Sequence, residues 1–123
     1  MKESALRQKS ENFTIRIINM YRYLSKEKKE FTISKQVLRS GTSIGANIAE
    51  AGSAFSKKDF VFKLGISLKE CAETLHWLDA LKNTGFLSDK EFDSISGDCW
   101  EIRRILNASI KTAKKSIENG DDK

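Results

Sequence analysis

The chain has 123 residues, of which 39% are hydrophobic and 32% are charged, and its formal net charge is +5. This length fits one domain over residues 1–123, with an ordered core over 10–118, that buries roughly two thirds of its unfolded surface. Proline is absent, although about six would be expected at average usage, which argues against the many turns of a strand-rich fold. With no apolar run long enough to span a membrane and no apolar segment after Met1, we expect a cytoplasmic protein without membrane partners.

The first predicted helix spans residues 10–28. Its apolar positions recur at spacings of four, three and four residues, which is typical of one helix face: Phe13, Ile17, Met20 and Leu24. The surrounding segment is basic, since residues 1–39 hold ten Lys and Arg against four Asp and Glu.

The second predicted helix contains the most informative segment of the chain. Thr32 or Ser34 is a candidate N-cap. Gly41 and Gly45 follow inside the helical pattern, where each glycine costs about 1 kcal/mol relative to alanine. Together with Ala49 they form a stripe of small residues at which another helix could approach closely. We therefore predict a helix-packing role for these three residues.

Two further helices follow, each with its own start signal. Ser56 and Asp59 resemble a capping box before the third helix, and Ser88 with Glu91 repeats that signal before the fourth. Gly85 is suited to the C′ position that ends the third helix. The apolar stripe of the third helix is Phe60, Leu64, Leu68, Cys71, Leu75, Leu78 and Leu81, and that of the fourth is Phe92, Ile95, Cys99, Ile102, Leu106, Ile110, Ala113 and Ile117.

Four amphipathic helices with short connections predict an all-α fold, an antiparallel up-down four-helix bundle. Several large apolar side chains fall outside the four stripes, and such surplus apolar surface favours a partner. Self-association is the first expectation. The residues concerned are Val61, Phe62, Ile66, Trp77, Trp100 and Ile105.

The sequence gives little support for a catalytic site or a metal site. Glu73 and His76 form one Glu-x-x-His pair, whereas a di-iron bundle needs two such pairs and two further glutamates, and the chain holds one histidine. The segment between Gly41 and Gly45 lacks the lysine and the preceding strand of a phosphate-binding loop. Cys71 and Cys99 fit reduced core thiols better than a redox pair. We expect a protein that is not an enzyme and that has no metal and no cofactor.

Three polar side chains stand apart on the second helix: Arg39, Asn47 and Glu50. Arg39 and Glu50 are three turns apart and cannot pair within one helix, so contacts with another helix or subunit are expected.

Basic residues are the best remaining functional candidates. Residues 103–115 hold five Lys and Arg and no acid, and positions 104, 111 and 115 share one helix face. We predict weak, sequence-tolerant binding of RNA or DNA by Arg104, Lys111 and Lys115, aided by Arg22 and Lys29. The alternative is a protein-interaction module without nucleic-acid binding.

The segment from Leu38 to Ala51, LRSGTSIGANIAEA, resembles the signature of the four-helix bundle proteins encoded in intervening sequences of 23S ribosomal RNA genes. A second matching block runs from Asp59 to Leu78, although Cys71 replaces a more usual alanine and His76 a common aromatic residue. The resemblance covers residues 10–115 and implies an up-down bundle that assembles as a homopentameric ring. It also implies similarity to the accessory proteins of diversity-generating retroelements, which bind nucleic acid and partner a reverse transcriptase. No enzymatic activity or defined ligand comes with the family.

Overall fold

The computed structural model describes residues 2–120, and within that range the chain forms four α-helices and no strand. The helices are α1 (Lys2–Lys26), α2 (Ile33–Ala51), α3 (Lys57–Asn83) and α4 (Asp89–Glu118). The predicted all-α, four-helix fold is thus confirmed. Part of the predicted polar tail, residues 121–123, lies outside the described range.

The first helix starts well before the predicted Ser10, since it includes Lys2 and ends at Lys26. Leu6 is the reason, because it lies seven residues before Phe13 on the same face and is buried in the core with it. One apolar residue among polar neighbours carried too little periodic signal to extend the prediction.

The second helix is capped differently from the prediction. Thr32 is the N-cap residue, but its backbone is helical and its side chain makes no capping hydrogen bond. The carboxylate of Glu30 takes over this role and accepts hydrogen bonds from the backbone N–H groups of Thr32, Ile33 and Ser34 at 3.2, 2.9 and 2.6 Å. The preceding residue, Lys29, turns the chain back with a φ of 57°. The predicted second candidate, Ser34, is buried, and its hydroxyl donates to the Glu30 carbonyl instead.

The other predicted signals lie where expected. Ser88 and Glu91 form a complete capping box at the start of α4. At the start of α3 the Ser56 hydroxyl accepts from the Asp59 N–H, while the shorter Asp59 side chain accepts from Phe55 rather than completing the box. Gly85 has a φ of 87° just after α3, and hydrogen bonds from Gly85 and Phe86 to the carbonyls of Lys82 and Leu81 close that helix.

The hydrophobic core joins all four helices, and each helix packs on the next one, with α4 also packing on α1. Between α2 and α3 the core contains paired polar groups. The Ser67 hydroxyl donates to the Ile44 carbonyl and the Thr74 hydroxyl to Ser40, both at 2.9 Å. Between α3 and α4 the Cys99 thiol lies 3.7 Å from the Cys71 carbonyl oxygen.

The small residues of α2 lie against α1. A Cβ placed on Gly41 would be 2.9 Å from two side-chain carbons of Ile17, and one on Gly45 would be 2.7 Å from the Thr14 hydroxyl. Ala49, the third member of the predicted stripe, is instead exposed. The reason is geometric, because each step of four residues rotates about 40° around a helix of 3.6 residues per turn. Gly52, where a Cβ would be 3.3 Å from Arg7, continues the close contact.

Candidate nucleic-acid interface

The outward face of α4 carries a row of basic side chains. Arg104, Lys111 and Lys115 are all exposed, and their spacings of seven and four residues keep them within about 40° of one another around the helix. The opposite face of the same helix is buried and includes Ile95, Cys99, Ile102, Leu106 and Ala113. Core packing of α4 therefore directs these three charges into solvent.

These charges are free of carboxylate partners within residues 2–120. None of the three forms an ion pair among the described residues. Two nearby acids of α4 are engaged by α1, since Glu101 pairs with Lys9 at 3.2 Å and Asp98 with Arg16 at 2.6 Å. A third acid, Glu118, is exposed one turn after Lys115. The positive field is therefore least opposed between Arg104 and Lys111.

The other two predicted residues lie elsewhere. Arg22 and Lys29 are exposed, but the ion pairs from Lys9 to Glu101 and from Arg16 to Asp98 set the register between α1 and α4. At 1.5 Å per residue this register places Arg22 level with the start of α4, roughly 20 Å along the bundle from Arg104. The structure brings together the three α4 residues and not all five.

One aromatic residue, Trp100, adds to the basic face of α4. The sequence pattern had placed this residue only among the surplus apolar side chains. Trp100 is 50% exposed and lies one helical turn before Arg104. The guanidinium of Arg103 lies 4.8 Å from the centre of the indole ring, in a cation–π contact. The sequence did contain a signal for this position, because Trp100 lies four residues before Arg104 and therefore on the same helix face.

A second polar cluster links α2 to α3. Arg39 bonds to Glu73 and lies 3.7 Å from Glu70, and Glu50 accepts from Lys63 at 2.9 Å. The predicted interhelical contacts of Arg39 and Glu50 are thus confirmed, whereas Asn47 donates to the Ser43 carbonyl within α2. These bonds join the two helices at the surface.

The residues weighed for catalysis are used structurally. Glu73 also accepts from the Trp77 indole N–H at 3.0 Å, and the His76 ring packs edge-on against Trp77. No group of three or more His, Cys, Asp or Glu residues in the described chain is placed to hold a metal ion. Cys71 and Cys99 are buried free thiols. The neighbouring Cys71 side chain, and then burial, raise the pKa of the Cys99 thiol, which keeps it protonated.

A surface groove of about 480 Å³ lies between α1 and α4, at the end of the bundle near Arg22. Tyr23, Lys90 and Arg16 contribute to its lining. The Arg16 guanidinium is already occupied by Asp98 and by the Ser94 hydroxyl and carbonyl. The groove therefore offers less unpaired charge than the 104–115 face.

The fold defines the class first: an all-α protein with four helices around a common core. The family model of the 23S rRNA-intervening sequence protein matches residues 2–108. The chain belongs to this family, as its sequence signature indicated.

Among solved structures, the chain is similar to a protein of unknown function from the S23 ribosomal protein family of Bacteroides thetaiotaomicron. The two are 49% identical with a TM-score of 0.89, and the match covers 90% of this chain and 99% of that one. No curated protein sequence matches the chain. Across the described residues, none of the helices combines the length and apolar character needed to cross a bilayer.

Proposed function

We propose that this protein is a non-enzymatic, homo-oligomeric helical scaffold that binds RNA or DNA weakly and with little sequence preference. The observation that carries the proposal is the 104–115 face of α4, where Arg104, Lys111 and Lys115 are exposed together without ion-pair partners among the described residues. Three positive charges over about 16 Å of helix suit a phosphate backbone, and binding releases its condensed counterions.

The proposed arrangement is an antiparallel up-down bundle. Contacts between consecutive helices support it, because a later position in one helix meets an earlier position in the next. Ile17 meets Gly41 while Arg7 meets Gly52, and Cys71 meets Cys99 while Lys57 meets Ser116.

The proposed assembly is a homopentameric ring in the cytoplasm. Exposed large apolar side chains support self-association, because a soluble monomer gains nothing from leaving them in water. They include Ile15, Phe55 and Phe62, which are 57%, 96% and 63% exposed. A ring would repeat the 104–115 face five times, so that contacts too weak for one subunit would add by avidity.

The same apolar residues favour the second candidate, a module that recruits a protein partner and binds no nucleic acid. Binding of the protein to a polyanion or to a polypeptide partner distinguishes the two functions.

The test is retention of a labelled oligonucleotide as salt is raised from about 50 mM, where phosphate contacts are strong. The triple change Arg104→Glu, Lys111→Glu and Lys115→Glu should abolish binding while helicity and particle size stay the same. Arg22→Glu, Lys26→Glu and Lys29→Glu together form the matched control, since they reverse the same number of exposed charges at the other end of the bundle and should weaken the binding of a short oligonucleotide far less. Absence of any retention by the wild type would leave the protein-interaction function.

Light scattering at micromolar concentration tests the assembly. A particle of the 13.9 kDa chain mass would contradict the oligomer, and any size other than a pentamer would contradict the ring.

A further inference from the structure

Trp100 gives the basic face of α4 a flat aromatic surface. The indole is 50% exposed and lies one turn from Arg104 on the same side of the helix. A half-exposed indole offers a flat surface to a ligand, and the Arg103 and Arg104 guanidinium groups next to this one are cationic. Arg103 lies over the ring at 4.8 Å, and Asn107 continues the row in an exposed position.

Gly97 leaves open space on α4 one turn before Trp100. It lies inside α4, three residues before Trp100, and nothing lies within 4 Å of where its Cβ would be. Packing does not require this glycine, although it weakens the helix relative to alanine. Helical side chains lean toward the preceding turn, which for Trp100 is the turn that contains Gly97. The open space around Gly97 leaves room for a planar group to approach Trp100 from that turn.

We infer that Trp100 is a base-stacking site and that the 104–115 face binds single-stranded nucleic acid in preference to duplex. An unpaired base stacks on the indole, while Arg104 and Lys111 contact the phosphates that follow it along the helix. A duplex hides the faces of its bases and can offer this surface only phosphates. The inference rests on the proposed nucleic-acid function and adds the strandedness of the ligand and the residue that selects it.

The experiment compares three probes on the full chain: an oligothymidylate of about 15 nucleotides, a blunt duplex of the same length, and inorganic polyphosphate. In a Trp77→Phe background Trp100 is the only indole, so its fluorescence reports stacking directly. The oligothymidylate should quench this fluorescence and bind more tightly than the duplex, whereas polyphosphate should bind without quenching.

Substitutions then separate stacking from charge. Trp100→Ala should weaken oligothymidylate binding at least about fivefold while leaving polyphosphate binding unchanged, and Trp100→Phe should restore most of the loss. Phe31→Ala is the matched control, because Phe31 is 54% exposed but lies outside the basic face. Gly97→Gln, which fills the open space one turn before Trp100, should also weaken single-strand binding. Ala46→Gln should not, since it enlarges an exposed small side chain on α2.

The other possible results would overturn the stacking site, or both the stacking site and the proposed nucleic-acid function. Equal binding of all three probes, with Trp100→Ala equal to wild type, would overturn stacking and leave the phosphate-binding function intact. Failure of every probe to bind would overturn both. A smaller particle for Trp100→Ala in light scattering would show that the indole contacts a second copy of the chain, and the stacking site would be wrong.

Discussion

The contact between Gly41 and Ile17 makes Gly41→Ala a sensitive test of how α1 and α2 pack. Alanine in place of an interior glycine gains about 1 kcal/mol of helix stability. The new Cβ, however, would lie 2.9, 2.9 and 3.0 Å from Cγ1, Cγ2 and Cδ1 of Ile17, and Ile17 is fully buried. Because a β-branched side chain is stiff at χ1, it has little freedom to turn away. Overpacking of this kind costs about 1–3 kcal/mol, so we expect a net destabilisation of about 1 kcal/mol.

The assay is thermal or urea unfolding followed by circular dichroism, at one protein concentration because oligomers unfold in a concentration-dependent way. A loss of about 1 kcal/mol should lower Tm by roughly 4 °C. Gly65→Ala is the control, since open space surrounds Gly65 and the gain in helix propensity should raise Tm. In an Ile17→Ala background the clashing atoms are gone, and Gly41→Ala should become stabilising there. A rise in Tm for Gly41→Ala alone, equal to that of the control, would refute the close contact.

Further substitutions test the other structural features. Gly45→Leu should destabilise the fold by about 1–3 kcal/mol or more in the same melts, because its Cβ already meets the Thr14 hydroxyl at 2.7 Å; an unchanged Tm would contradict this. Glu30→Ala should cost about 1 kcal/mol at pH 7 by removing the cap of α2. Burial alone would raise the pKa of Glu30, but hydrogen bonds from the Ile33, Ser34 and Thr32 N–H groups lower it below 4.5. The stability from ionised Glu30 is therefore present above pH 4.5 and is lost as the pH falls through the lowered pKa, so the wild type and Glu30→Ala should converge in acid melts.

The sequence predicted those parts of the fold that depend on neighbouring residues. The Ser88–Glu91 capping box and the Gly85 helix end need only a few consecutive residues, and both lie where they were predicted. The cap of α2 was missed although it is also local, since Glu30 lies only two to four residues before the N–H groups that it accepts from. It follows Lys29, which has a left-handed backbone, a conformation that a lysine in the sequence does not predict.

The candidate site shows what local and distant information each contribute. Helical spacing was enough to group Arg104, Lys111 and Lys115, and the structure leaves all three exposed. Adding Arg22 and Lys29 to them required the register between α1 and α4, which depends on pairs such as Arg16–Asp98. Such pairs join residues more than 80 positions apart, and a count of charges along the chain cannot predict which residues pair.

Two exposed aromatic residues show how their neighbours indicate a partner. Phe62 on α3 and Trp100 on α4 are 63% and 50% exposed, and each lies three residues from a glycine with open space around it, Gly65 and Gly97. Four residues after Phe62 comes Ile66, an apolar side chain, whereas four residues after Trp100 comes Arg104. An aromatic ring beside apolar groups gains most from burial against another protein surface, including a second copy of this chain. A ring among guanidinium groups would bury charge in such an interface at a high cost. It gains more from a polyanion that supplies both phosphates and bases, which is why we propose self-association through α3 and nucleic-acid binding through α4.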